Sequence, residues 1–237
     1  MNALAMMVFG SVARGDNVDT SDTDILVVVE CGVPKAIKND VLEIQYLTKD
    51  ILMSMAKNGD LFALHLAIEG NIIFDHQAIF KDFRENMKVR DNYMDIKKGA
   101  SDFGWFLGSY GDSYENQRLV NKRIAWCVRT ILISKIVENG RFVFSPSGLK
   151  KEFCNKGIDL LIDLRRSELK SDVRFSALQD FLIEHGSSKP IVSTKEEFVA
   201  YFFENGPPVA CTTITALDKK AVRYPPYVSG IVNNVKR

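Results

Sequence analysis

The sequence predicts an α/β fold: a small mixed β-sheet with helices, followed by a mostly α-helical domain. Three observations carry that prediction. Ile25 to Val29 is an unbroken run of β-branched and aliphatic residues, long enough for a strand buried on both faces. Met6 to Phe9 reads as a second strand, ending in a tight Gly10-Ser11 turn and one or two turns of helix. From Ala78 onward the apolar spacing changes from that of strands to that of helices. A chain of 237 residues suits one large domain or two small ones.

Composition excludes more than it assigns. At 46% hydrophobic and 26% charged residues the chain is ordinary for a globular protein. A net charge of +1 gives no global pull toward nucleic acid or membrane, so an anionic partner has to be met by a local patch. Cys31, Cys127, Cys154 and Cys211 lack the paired spacing of a zinc site and read as reduced thiols. The apolar start lacks a basic leader, and no apolar run approaches the length of a membrane span. A cytoplasmic protein without membrane contact is the expectation.

The chemistry is concentrated near the amino terminus. Asp22 and Asp24 stand one residue apart at the entrance of the Ile25–Val29 strand, and a period of two puts both on one face. Unpaired carboxylates there would lose hydration and repel each other, unless a cation sits between them. Mg²⁺ fits, because it takes one or two carboxylates and completes its octahedron with water and phosphate oxygens. Gly10 lets a ligand approach the backbone, N–H groups at a helix start favour phosphate, and Ser11 adds a small hydroxyl donor. Asp16, Asn17 and Asp19 read as turn residues.

Gly10-Ser11, Ala13-Arg14-Gly15, Ser21-Asp22 and Asp24-Ile25-Leu26, in this order between two predicted strands, resemble the signature of the nucleotidyltransferase superfamily related to DNA polymerase β. The match is nearest to the minimal nucleotidyltransferases and extends over roughly Met6 to Asp75. The resemblance implies a nucleotidyltransferase-type mixed sheet. It also implies that the Gly-Ser turn holds the triphosphate of an NTP and that Asp22 and Asp24 hold two metal ions. In that family a third carboxylate comes from a neighbouring strand, and Glu43 occupies the position here, one methylene longer than the usual aspartate. Arg14 suits either the phosphates or a helix-surface salt bridge.

The remaining elements follow in order. Cys31 to Asn39 reads as a loop broken by Gly32 and Pro34. Val41 to Leu47 alternates as a strand, with Val41, Glu43 and Gln45 on one face. Ile51 to Ala56 and Leu61 to Glu69 read as helices, the latter capped by Asp60 and closed by Gly70 as a natural C′ residue. Asn71 to Asp75 is a short strand. His65 reads as structural, and His76 and His185 have no ligand companions at metal spacing.

Helices are expected from Ile79 toward Lys88, over Asp91 to Leu107, Glu115 to Glu138, Leu149 to Glu168 and Val173 to Glu184. Gly108 to Asp112 reads as a flexible joint. Ser193 to Glu197 offers two overlapping capping boxes ahead of Phe198 to Phe203. Val209 to Leu217 looks β-like, with turn signals at Pro225-Pro226 and Gly230 beyond it. The expected divisions are 1–77, a catalytic core; 78–186, a helical domain; and 187–237, a short helix and mixed tail.

Together these readings point to a metal-dependent enzyme moving a nucleoside monophosphate from an NTP, ATP by expectation, to an acceptor hydroxyl on a protein or RNA, in the manner of an antitoxin. An antibiotic nucleotidyltransferase and a non-catalytic nucleotide-binding or interaction module stay open as alternatives. Basic residues outnumber acidic ones from Arg118 to Arg174, which favours an anionic acceptor over a polycationic drug. The expected site is Asp22, Asp24 and Glu43 for catalysis and metal, with Gly10, Ser11 and Arg14 at the nucleotide. A small-molecule acceptor, a partner protein and a homodimer are further open expectations.

Overall fold

The computed structural model describes residues 2–19, 21–39, 41–168, 170, 172–192 and 194–218. The chain forms two compact units, one reaching to Asp91 and the other beginning at Asn92.

The first unit runs β1 (Ala3–Phe9), α1 (Gly10–Arg14), β2 (Thr23–Val29), β3 (Lys35–Lys38), β4 (Leu42–Thr48), α2 (Lys49–Lys57), α3 (Leu61–Glu69), β5 (Asn71–Asp75) and α4 (Ile79–Glu85). The sheet has five strands in the order β3-β4-β2-β1-β5. β2 and β4 run parallel, and the other neighbours are antiparallel. Alternate residues Ala5, Met7 and Phe9 of β1 and Leu26 and Val28 of β2 pack with Leu52 and Met55 of α2, Leu66 of α3 and Phe80 and Phe83 of α4. Val27 and Val29 are buried as well, so the second half of β2 is covered on both faces, as its unbroken apolar run requires.

Side-chain caps fix the helix starts. Thr48 accepts from the Ile51 N–H, and Asp60 accepts from Phe62 and Ala63; such a cap contributes about 1 kcal/mol. The Asp75 carboxylate accepts from the N–H groups of Ile79 and Phe80, both at 2.8 Å, and so ties α4 to the strand before it. For that reason, and because Phe80 and Phe83 fill the sheet core, the first unit extends past the expected boundary at residue 77.

Two local features refine or differ from the sequence expectation. Gly70 ends α3 as expected, but in extended backbone, with φ −73 and ψ 127. A side chain there would collide with the Leu66 carbonyl and the Met7 sulfur, and close approach is what requires glycine. Lys35–Lys38 is a strand, where a loop was expected. The Asn39 side chain accepts from the Val41 and Leu42 N–H groups and turns the chain back, pairing Lys38 with Glu43. A short, lysine-bearing strand at a sheet edge is a common way to block edge-to-edge association, and it leaves little apolar pattern to read.

The second unit is helical: α5 (Met94–Tyr110), α6 (Gln117–Glu138), α7 (Pro146–Phe153), α8 (Lys156–Asp163), α9 (Asp172–His185), α10 (Lys195–Asn205) and α11 (Pro208–Leu217). The expected stripe Val120, Ile124, Cys127, Val128, Ile131 and Ile136 of α6 lies in its core. Burial pushes the Cys127 thiol well above the usual range. Phe103 and Phe106 of α5 stack edge-on against Phe198 and Phe202 of α10, with ring centroids 5.6 to 5.8 Å apart. The joint expected at Gly108 is the last turn of α5, followed by a single 3-10 turn at Gly111–Ser113.

Leu149 to Glu168 is not one helix. Cys154 takes a left-handed φ of 47, and Asn155 then caps a new helix by accepting from Gly157 and Ile158. Val209 to Leu217 is helical, not β-like. Pro208 sits at the first turn, where its missing N–H costs nothing, and Thr213 and Thr215 donate their hydroxyls to carbonyls four residues back. Val209, Ala210, Thr213 and Ile214 then face the core at helical spacing, which joins residues 208–217 to the helical unit instead of a separate tail. Of the two capping boxes, that of Thr194 and Glu197 is formed. Ser193, Pro225-Pro226 and Gly230 lie outside the described residues.

Candidate metal centre

β2 and β4 are parallel neighbours, and their register sets Asp24 directly beside Glu43. On the other side of β2, Asp24 pairs with Phe9; on the other side of β4, Glu43 pairs with Lys38. One row therefore crosses four strands as Lys38, Glu43, Asp24, Phe9. Asp22 joins it from just ahead of β2. Carboxylate oxygens of Asp22, Asp24 and Glu43 lie within 4.8 Å of one another, all three residues half-buried. The sequence parity of Asp22 and Asp24 and the single-face placement of Glu43 and Gln45 thus converge on one cage.

The polar surroundings of the cage are specific. Gln45 Nε2 donates to Glu43 Oε1 at 2.9 Å. Lys38 Nζ donates to both Asp22 Oδ2 and Glu43 Oε2. Partial burial works against the Lys38 charge, but the hydrogen bonds to Asp22 and Glu43 outweigh it and hold the ammonium above its usual range. Neither Lys38 nor Gln45 was expected at the site. Asn39, a turn former between Lys35–Lys38 and the next strand, was the available signal for a hairpin that brings Lys38 across from Glu43.

Gly10 lies against the cage. Its φ is +74, and a Cβ there would collide with Asp24 Oδ2, so both backbone freedom and lack of bulk are needed. Ser11 follows as the second residue of α1. Arg14 forms ion pairs: its Nη1 is 2.6 Å from Glu69 Oε2, and its Nε is 3.2 Å from Asp16. His65 Nε2 also lies 2.7 Å from Glu69 Oε2. Burial alone would raise the Glu69 carboxyl, but hydrogen bonds from His65 and Arg14 bring it below its usual range. The salt bridge that the sequence allowed for Arg14 is formed.

The donor set is all oxygen and carries three carboxylates, which suits a hard divalent ion and not a thiolate- or imidazole-seeking one. The residues present fit such an ion.

Residues 4–68 match a family model described as a nucleotidyltransferase domain, a stretch that takes in β1, β2, β4 and most of α3. No curated protein matches the chain significantly. Among solved structures, the crystal structure of a nucleotidyltransferase-like protein from Exiguobacterium sibiricum 255-15 is similar at 12% identity and a TM-score of 0.31, covering 93% of this chain and 75% of that one. Among the described residues, no helix is long and apolar enough to cross a membrane.

Proposed function

We propose that the protein is a metal-dependent nucleotidyltransferase that moves a nucleoside monophosphate from an NTP, ATP in the first instance, to an acceptor hydroxyl. The observation that carries this reading is the cage itself: two carboxylates on adjacent parallel strands and a third just ahead of one of them, with oxygens within 4.8 Å, beside a glycine turn. In the transfer the acceptor oxygen bonds to the α-phosphorus, the α–β anhydride bond breaks, pyrophosphate leaves, and the hydroxyl proton passes to solvent. Asp22, Asp24 and Glu43 would hold the divalent ions, two Mg²⁺ by the family resemblance. When bound, these supply Lewis-acid activation of the hydroxyl and neutralise the phosphate charge.

The protein's own residues do the positioning. The Gly10-Ser11 turn receives the triphosphate, because the first N–H groups of a helix have no intrahelical acceptor. Gln45 fixes one oxygen of Glu43 and so orients the other toward the cage. Arg14, held by Glu69 and Asp16, braces α1 behind that turn.

For the acceptor, we favour a protein or RNA hydroxyl. The basic excess between Arg118 and Arg174 supports an anionic acceptor, although part of it is spent internally: Arg141 pairs with Glu152, Lys150 with Asp163, and Arg174 is buried. The test is incubation with each labelled NTP and Mg²⁺ in a cell lysate, following pyrophosphate release and the labelled acceptor. Release with transfer to a macromolecule is expected. Transfer to an aminoglycoside alone would replace it with the antibiotic-modifying reading, and absence of release with every NTP would leave a nucleotide-binding module.

A further inference from the structure

We propose that Lys38 is a resident counter-cation of the carboxylate cage, and that a divalent ion has to displace its ammonium from Asp22 and Glu43 to load. This rests on the metal reading above, and it assigns to an edge-strand residue the control of how tightly the metal is held.

Lys38 does not arrive at the cage by chance rotation of a surface side chain. The β3–β4 ladder places it directly across from Glu43, and directly opposed residues are about 5 Å apart. The strand is pinned along its length: Ile37 pairs with Ile44, and the Lys35 ammonium lies 4.8 Å from the centre of the Tyr46 ring. The oxygens it takes belong to two of the three carboxylates of the cage. Glu43 Oε1 accepts from Gln45 and Oε2 accepts from Lys38, so both oxygens of that carboxylate are engaged. The second Lys38 bond is to Asp22 Oδ2, so one ammonium spans two of the three carboxylates.

The arrangement also provides the way out. The Lys38 side chain is 43% exposed, and a flexible four-carbon stem lets the ammonium swing to solvent without moving β3. A divalent ion brings twice the charge but has to shed part of a tightly held water shell, whereas the ammonium is already in place. Exchange therefore lowers the apparent affinity for free metal relative to a cage without the lysine. The ammonium also offsets repulsion between the Asp22 and Glu43 carboxylates when no metal is bound.

The experiment compares the wild-type chain with Lys38→Met, Lys38→Gln and Lys38→Arg, using Mn²⁺ alone as the probe. Site occupancy is read by calorimetric titration and by the resonance of unbound Mn²⁺, and thermal midpoints are measured with and without the ion. Lys38→Met and Lys38→Gln are expected to bind Mn²⁺ at least tenfold more tightly than wild type, to melt lower without it, and to gain more on its addition. Lys38→Arg, which keeps the charge, is expected to stay near wild type. The glutamine variant guards against a methionine variant that misfolds. If wild type binds Mn²⁺ and both neutral variants bind it equally or more weakly, the resident-cation proposal is overturned while the metal site stands. If neither wild type nor any folded variant binds Mn²⁺, the metal reading falls and takes this proposal with it.

Discussion

In the sheet unit, three half-buried carboxylates stand at strand ends with a partly exposed lysine between two of them. The helical unit handles charge differently. Asp102 is fully buried on α5, with Lys98 Nζ at 2.6 Å and the Tyr201 hydroxyl donating to the same oxygen. Arg174 is fully buried on α9, donating to Asn121 Oδ1 at 2.5 Å and to Gln117 Oε1. The Gln117 and Asn121 partners of Arg174 are themselves buried in the helix packing, whereas Lys98 is as open to solvent as Lys38. The lesson is that burial of both sides separates a permanent partner from a replaceable one: Arg174 is locked among buried amides and holds the helical unit's shape, and the sheet unit holds charge where its partner can change.

The strongest way to sharpen this contrast is to neutralise the cage. Asp24→Asn removes one charge with little change in volume, and pyrophosphate release from NTP and Mg²⁺ is expected to fall about a thousandfold, or about 4 kcal/mol of transition-state stabilisation. The thermal midpoint should scarcely drop. Retained turnover in the purified variant would remove the cage from the chemistry. Glu43→Gln is expected to cost less, about a hundredfold in turnover, with nucleotide affinity nearly kept, because Asp22 and Asp24 remain. Parallel titration with a non-hydrolysable NTP separates the two effects.

Arg174→Met tests the opposite expectation. It strands the buried Gln117 and Asn121 oxygens and should cost about 2–4 kcal/mol in urea unfolding. Mn²⁺ binding per folded molecule should be unchanged, and a change there would break the division of roles between the units. Asp60→Ala, which removes the cap of α3, should cost about 1 kcal/mol of stability.

The smallest expected effect concerns acid, where the units should behave alike. Glu69 in the sheet unit and Glu138 in the helical unit both lie below the usual carboxyl range. Burial opposes this in each, but bonds from His65 and Arg14, and from Lys97 and the Tyr93 N–H, prevail. A carboxyl lowered on folding stabilises fully above its unfolded value, about 4.3, and that contribution is lost as pH falls through the folded value. Glu69→Gln and Glu138→Gln should each lower the urea midpoint at pH 7 and flatten its fall below pH 4.5. An unchanged acid limb in both would show that neither pair contributes.

The cage was legible in the sequence because its signals are local. Asp22 and Asp24 lie one residue apart, Gly10 marks a turn, and Ile25–Val29 can hardly be anything but a strand. Glu43 was placed by family resemblance, and the parallel register then set it beside Asp24. Lys38 was missed because its role depends on strand pairing across a turn, while Gly32 and Pro34 nearby speak for a loop. Residues 209–217 misled for a related reason. Their β-branched side chains favour strand locally, but the hydroxyl bonds of Thr213 and Thr215 and the packing of Val209 and Ile214 decide for helix.

The distribution of thiols turns the two units into separately addressable reporters. All four cysteines are free; Cys31 and Cys154 are exposed, whereas Cys127 is buried in the helical core. Its raised proton affinity leaves almost no thiolate to react while that core is closed. A brief pulse of an alkylating reagent should therefore mark Cys31 and Cys154 at once and Cys127 only when the helices part. Read residue by residue by mass spectrometry, the lag at Cys127 times the opening of one unit without a probe attached and without a single mutation.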